Sequence, residues 1–260
     1  MALARADAPP LAVHRSGNGP PVVLLHCLGV DHRFWDFAAG LADEFTLLRY
    51  DLPGHGATPV PAEPYDIADL SQQLAGLFRR HDLTHAHLVG ISLGGLVAQH
   101  FAATWPGLVD RLVLIDTTPR YTDELRQMWA ERAATARSAG VAAMVDGLLN
   151  IWFTPQFAAA NGPAVRYVRT TLTRTSGEGY ALACAALAAA DLRPLAPQIA
   201  APTLVLCGAD DIASFLDAAR WLAGNIRGAR LAWLPGARHA SVLERPTQAV
   251  ELMREFLKES

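Results

Sequence analysis

Apolar residues in this chain fall into short, nearly unbroken runs separated by longer stretches in which they recur every third or fourth position. The runs Val22 to His26, Phe45 to Tyr50, Ala86 to Ile91, Arg111 to Asp116, Thr203 to Cys207 and Ala229 to Leu234 are rich in Val, Leu and Ile. Continuous apolarity of that length predicts strands buried on both faces, as in a parallel sheet. Between them, helical spacing predicts helices over Phe34 to Ala42, Ile67 to Arg80, Leu93 to Thr104 and Thr247 to Lys258, the second capped by Asp66 and the third ended by Trp105-Pro106. Alternating strands and helices specify an α/β architecture with a mostly parallel central sheet flanked by helices.

From about Pro119 to Ala201 the alternation stops, and an Ala-rich helical stretch punctuated by Gly140, Pro155, Gly162-Pro163 and Gly177 takes its place. This pattern predicts one domain with an insertion: residues 1–118 and 202–260 form the α/β core, and 119–201 form an inserted helical cap. With 260 residues, 51% of them apolar, the chain can bury a core of that size.

The formal net charge is −3, and the basic residues, nearly all Arg, are scattered. No stripe of charge points to nucleic acid or an anionic membrane, which leaves small-molecule chemistry. No apolar run reaches membrane-spanning length, and the first ten residues lack the basic lead-in and apolar stretch of a signal peptide. Cys27, Cys184 and Cys207 are odd in number and far apart, as expected of reduced thiols in a cytoplasmic protein.

The chemistry centres on Gly90-Ile91-Ser92-Leu93-Gly94. A G-x-S-x-G string arises by chance in about one chain of this length in ten, but here it stands where a predicted strand gives way to a predicted helix. A nucleophile elbow needs that context: a strained turn that lifts the serine hydroxyl above the sheet. Such a serine requires a histidine base. If the triad runs Ser, acid, His along the chain, as in this architecture, only His100 and His239 of the nine histidines qualify, and His100 lies about 12 Å further along the same helix. That leaves His239, in the loop after the last strand. The third member is an acid at a neighbouring strand end, and Asp211, Asp210 and Asp116 all qualify. Asp211 is the choice, though spacing barely separates the three. The backbone N–H groups of Leu93 and Leu28 are the expected oxyanion donors.

Together these residues resemble the α/β-hydrolase superfamily along essentially the whole chain. Within it, the chain is most similar to 3-oxoadipate enol-lactonases, on Leu28-Gly29-Val30-Asp31-His32-Arg33-Phe34-Trp35-Asp36, on Gly90 to Leu96, and on the cap segments Trp152 to Phe157 and Gly179 to Leu187. The resemblance implies an α/β-hydrolase fold, a Ser92, Asp211 and His239 triad, and opening of an enol-lactone through an acyl-enzyme, with no metal or organic cofactor. The chain departs from that pattern at Ile151, where the enol-lactonases carry a basic residue, at Ile212-Ala213 after the acid, and at Arg238 before the histidine. The first departure leaves the partner of a substrate carboxylate unassigned.

Trp35, Trp152 and Arg238 are candidate substrate contacts, although aromatics at such positions are more often simple core and loop arginines usually serve solubility. His55 is expected to be structural. His81, His85 and His87 have ligand-like spacing but precede a strand at the amino edge of the sheet, where a solvated loop is the simpler expectation. Rivals to the enol-lactonase reading are a broader esterase, another lactonase or a perhydrolase. From another class comes a small-molecule receptor with slow turnover.

Overall fold

The computed structural model describes residues 11–259; the segment compared above with a signal peptide falls outside them. Seven strands, β1 (Val13–Ser16), β2 (Pro21–Leu25), β3 (Thr46–Tyr50), β4 (Ala86–Ile91), β5 (Val109–Ile115), β6 (Thr203–Gly208) and β7 (Arg230–Leu234), form one sheet in the order β1-β3-β2-β4-β5-β6-β7. Only β1 runs antiparallel, pairing with β3. Every residue of β4 and β6 is buried, as their continuous apolar runs require.

Among the described residues, ten α-helices accompany the sheet: α1 (Ile67–Arg80), α2 (Leu93–Thr104), α3 (Asp123–Ala139), α4 (Val145–Trp152), α5 (Pro155–Ala160), α6 (Pro163–Arg174), α7 (Gly177–Ala189), α8 (Ala213–Asn225), α9 (Ser241–Glu244) and α10 (Pro246–Lys258). A reciprocal capping box opens α1, with Asp66 accepting from the Asp69 N–H at 2.8 Å and Asp69 accepting from the Asp66 N–H at 3.1 Å. The helix expected over Phe34 to Ala42 is instead a 3₁₀ helix spanning His32–Asp43. Asp31 caps it, and the adjacent rings of Phe34, Trp35 and Phe37 pack on one another, so local aromatic packing prevails over the α-helical period.

Helices α3 to α7 interrupt the alternation between β5 and β6. The two ends of this insertion meet where Arg120 bridges to Asp191 and the Leu192 N–H donates to the Pro119 carbonyl at 2.8 Å. Because β2 and β4 to β7 are parallel, the loops after them emerge at one edge of the sheet, and the inserted helices lie against that edge. Gly54 and Gly179 approach so closely that a Cβ on Gly54 would stand 2.7 Å from the Gly179 Cα. Trp152 accepts a backbone hydrogen bond from Ala240 at 2.8 Å. No helix among the described residues is long and apolar enough to cross a membrane.

Candidate active site

Ser92 stands at the junction of β4 and α2 with φ +52° and ψ −114°, a left-handed conformation that a non-glycine residue holds only under constraint. The constraint is visible. The Ser92 N–H donates to the Ile115 carbonyl of β5 at 2.9 Å, and the Ser92 carbonyl accepts from Thr117 Oγ1 at 2.8 Å. The flanking glycines allow the close passage: a Cβ on Gly90 would lie 2.4 Å from the Gly94 carbonyl oxygen, and one on Gly94 2.3 Å from that of Leu25.

From the loop after β7, His239 reaches Ser92, its Nε2 standing 3.1 Å from Ser92 Oγ. Its Nδ1 lies 3.0 Å from Asp211 Oδ2, on the loop after β6. An ionised Asp211 makes Nδ1 the protonated nitrogen, which leaves the Nε2 lone pair directed at the serine hydroxyl. The imidazole is buried. Burial alone depresses a histidine, but ion pairing and hydrogen bonding with Asp211, together with the Asp116 charge, raise His239 above its ordinary value.

The other acids are placed differently. Asp116 is buried and left-handed at φ +43°; its Oδ1 accepts from the Gly208 N–H at 2.8 Å, and its Oδ2 accepts from Ser241 Oγ at 2.5 Å and the Ser241 N–H at 3.2 Å. It ties the root of the acid loop to the segment after His239 and makes no hydrogen bond to the imidazole. Burial pushes its carboxyl up to about 7, His239 opposes the shift, and the nearby Asp211 adds to it. Asp210 is exposed and lines an outer cleft with Thr154, Gln156, Phe157, Arg238 and Arg245.

Leu93 is the first residue of α2, where an amide has no acceptor within the helix. Leu28 follows β2, and the orientation of its N–H depends on a residue to which sequence reasoning gave no role. Buried His26 accepts at Nε2 from the Leu52 N–H at 2.9 Å, so the proton resides on Nδ1, which donates to the Cys27 carbonyl at 2.8 Å. That carbonyl and the Leu28 N–H belong to one trans peptide and point in opposite directions. Fixing the carbonyl therefore fixes the amide. Burial lowers the His26 pKa and keeps the ring neutral in this role.

Trp152 stands beside the relay, its ring centroid 6.4 Å from that of His239. Trp35 is fully buried against Phe34 and Phe37. Arg238 lines the outer cleft beside Asp210. Its Nη1 donates to the Asn150 carbonyl at 2.7 Å, so its guanidinium serves the end of α4. His55 bonds to the Pro53 carbonyl. His85 pairs with Asp110, while His87 is buried edge-on to Phe45.

Two further residues escaped sequence reasoning. Glu244 is buried beneath the insertion and accepts from the Arg238 N–H at 2.8 Å and from the Thr154 N–H and hydroxyl, joining the inserted helices to the residue before His239. Tyr121 stands beside the Ser92 side chain, yet its buried hydroxyl completes no hydrogen bond.

Residues 22–252 match the alpha/beta hydrolase family profile. The chain is 31% identical to 3-oxoadipate enol-lactonase 2 of Acinetobacter baylyi, over 94% of its own length and 92% of that protein's. It is 36% identical to a pimeloyl-(acyl-carrier protein) methyl ester esterase of Chromobacterium violaceum, over 95% and 98%. Among solved structures, the enol-lactonase of Burkholderia xenovorans superposes with a TM-score of 0.92 at 35% identity, over 96% of each chain. With the profile matched along most of its length, the chain belongs to the alpha/beta hydrolase family.

Proposed function

We propose that the chain is a serine hydrolase that cleaves a carboxylic ester through an acyl-enzyme, and that its substrate is a lactone, foremost the enol-lactone of 3-oxoadipate. The observation that carries the chemistry is the continuous relay from Ser92 Oγ through His239 to Asp211, with steps of 3.1 and 3.0 Å. His239 takes the hydroxyl proton as Ser92 Oγ bonds to the lactone carbonyl carbon. Asp211 stabilises the imidazolium, and the Leu28 and Leu93 amides receive the oxyanion. Collapse breaks the ring C–O bond, and His239 returns its proton to the departing enol oxygen, whose enol relaxes to a ketone. A water then gives a proton to His239 and attacks the acyl carbon, and Ser92 leaves with that proton.

The lactone reading draws on the two relatives named for that activity. A second reading, hydrolysis of a linear methyl ester, is favoured by the 36% identity to the pimeloyl esterase. It differs in the leaving group, an alkoxide rather than an enolate.

Steady-state kinetics on 3-oxoadipate enol-lactone, a neutral lactone and a methyl ester separate the two. The lactone reading expects the highest kcat/KM on the enol-lactone, and a methyl ester turned over faster would overturn it. Ser92→Ala should cut activity on a short activated ester by several orders of magnitude while the fold survives. Activity near wild type in that variant removes the nucleophile assignment.

A further inference from the structure

Beyond the relay, a line of aromatic rings leads from the reacting centre to an unpaired cation. Phe215 packs on His239 with ring centroids 4.4 Å apart, Tyr121 meets Phe215 edge-on at 6.2 Å, and Trp129 meets Tyr121 edge-on at 5.3 Å. The Arg132 guanidinium lies 4.9 Å from the centre of the Trp129 ring. Arg132 belongs to the inward face of α3: Trp129, Ala133 and Ala136, at helical spacing around it, are all buried. Arg132 is half-buried there, where a charge set among apolar neighbours favours a partner. Its neighbours on the helix have theirs, Arg126 in Asp123 and Arg137 in Glu178, but among the described residues Arg132 has no carboxylate at ion-pair distance. Within reach is the phenol of Tyr180, a neutral group.

Beside Arg132, two donors do lack an acceptor. The Tyr121 hydroxyl and the Trp129 indole N–H are both buried and without a hydrogen-bond partner. A phenol and an indole with unspent donors, beside a guanidinium that no carboxylate neutralises among the described residues, suit an acceptor-rich, negatively charged group from outside the chain. The line of rings places the wall within reach of the chemistry: Phe215 packs on His239, and Tyr121, next along it, stands beside Ser92.

We infer that Arg132 is a specificity-determining residue that binds a carboxylate carried by the substrate, with Tyr121 and Trp129 as flanking donors, so that the preferred esters are short acyl compounds bearing a free acid. The inference rests on the proposed ester hydrolysis for its setting. It also discriminates between the two readings above: an enol-lactone of a dicarboxylic acid retains one free carboxylate, whereas a dicarboxylic acid esterified at both ends has none. A carboxylate fits the planar guanidinium through two parallel N–H···O bonds, which accounts for an arginine at this position.

The test compares mono-4-nitrophenyl adipate with 4-nitrophenyl hexanoate, esters of equal acyl length that differ in the terminal acid. In the wild-type protein the anionic ester should have the lower KM. Arg132→Gln should lower the ratio of kcat/KM, anionic over neutral, by roughly tenfold to a hundredfold, mostly through KM. Arg132→Lys should fall between the two. Arg137→Gln, on the same helix but paired with Glu178, should leave the ratio unchanged.

A second measurement needs no turnover. Adipate binding to the wild-type protein and to Arg132→Gln, followed by calorimetry, should weaken by the same factor. A ratio that falls less than twofold in Arg132→Gln, or adipate binding indifferent to that substitution, overturns the inference even if Ser92-dependent hydrolysis is intact. Loss of adipate binding in a protein that hydrolyses neither ester would instead support Arg132 and remove the proposed function.

Discussion

The structure holds two buried aspartates within one site, and replacing each by asparagine should have opposite consequences. In Asp211→Asn the side chain keeps its shape, but an amide group can face His239 Nδ1 where a carboxylate oxygen stood at 3.0 Å. The ring is then free to place its proton on Nε2, the nitrogen that must accept from Ser92, and it loses the charge that stabilises the imidazolium. A change of tautomer at this position in a serine triad costs about ten-thousandfold in kcat. In Asp116→Asn the retained carbonyl oxygen still accepts from Gly208, and the new amide donates to Ser241 Oγ. The Ser241 N–H, bound at 3.2 Å, and the Ser241 hydroxyl proton, bound at 2.5 Å, both lose their acceptor. Two buried donors left unsatisfied cost about 2–4 kcal/mol, or roughly 4–16 °C of melting temperature in a chain of this size. With burial holding the Asp116 carboxyl up to about 7, the neutral amide also resembles a form already populated at neutral pH. Hydrolysis of 4-nitrophenyl acetate and thermal unfolding followed by circular dichroism measure both effects. The expected pattern is a catalytic collapse with little change in melting for Asp211→Asn, and a clear melting shift with kcat/KM within tenfold of wild type for Asp116→Asn. If Asp116→Asn is the more damaging to kcat/KM, the acid has been wrongly chosen and the geometry around His239 misread.

The pH profile should follow from His239. The imidazole acts as base only when neutral, and its folded-state pKa is raised, so kcat/KM should fall as pH drops through a value above the ordinary 6.5. Asp211→Asn should move that acid limb to lower pH, and Arg132→Gln, which removes an opposing positive charge, to higher pH; a limb at or below the ordinary value in the wild type would refute the assignment. Glu244→Ala strips the acceptor from the Thr154 and Arg238 amides and from the Thr154 hydroxyl. It should cost about 3 kcal/mol and roughly 6–12 °C of melting temperature, and a shift under 2 °C would show that the insertion is not held there. Gly94→Ala sets a Cβ against the Leu25 carbonyl, and should cost about 1–3 kcal/mol of stability together with most of the activity; an active, fully stable variant would show that the elbow tolerates a wider turn.

The parallel part of the fold was legible because a strand covered on both faces must be apolar throughout, and five such runs mark β2 to β6 to within a few residues; β7, at the sheet edge and largely half-buried, still carries a run from Leu231 to Leu234. Strand β1 was not, because at the sheet edge it needs no such run: His14 and Arg15 are exposed. Helix α8 also escaped, its buried Phe215, Ala218, Ala219 and Leu222 set among small and polar residues that blur the period. For the site, the strand-to-helix context of Ser92 and the elimination of all later histidines but one were matters of chain order and reach, which a sequence records. The choice among Asp116, Asp210 and Asp211 was not, because loop conformation turns each carboxylate, and three residues at strand ends look alike until the loops are closed.

The residues that escaped altogether share a physical cause. His26 acts through the peptide plane it pins, Glu244 through backbone amides drawn from opposite sides of a long insertion, and Arg132 through the absence, among the described residues, of a carboxylate partner on a face where its helical neighbours are buried. None has a local signature, since each is defined by what lies against it in space. Arg132 shows the consequence for specificity. Read linearly it is one arginine among many on a helix with no motif, and the departure at Ile151 directs attention to α4. In three dimensions it is the cation that the packing of α3 against the site leaves without an anion, at the end of an aromatic wall that begins at the histidine. The chemistry of such a hydrolase is thus carried by chain order around Ser92 and His239. Its choice of substrate is carried by which charges the inserted helices leave unpaired above them, and it is there that two relatives of similar identity can part ways in what they cleave.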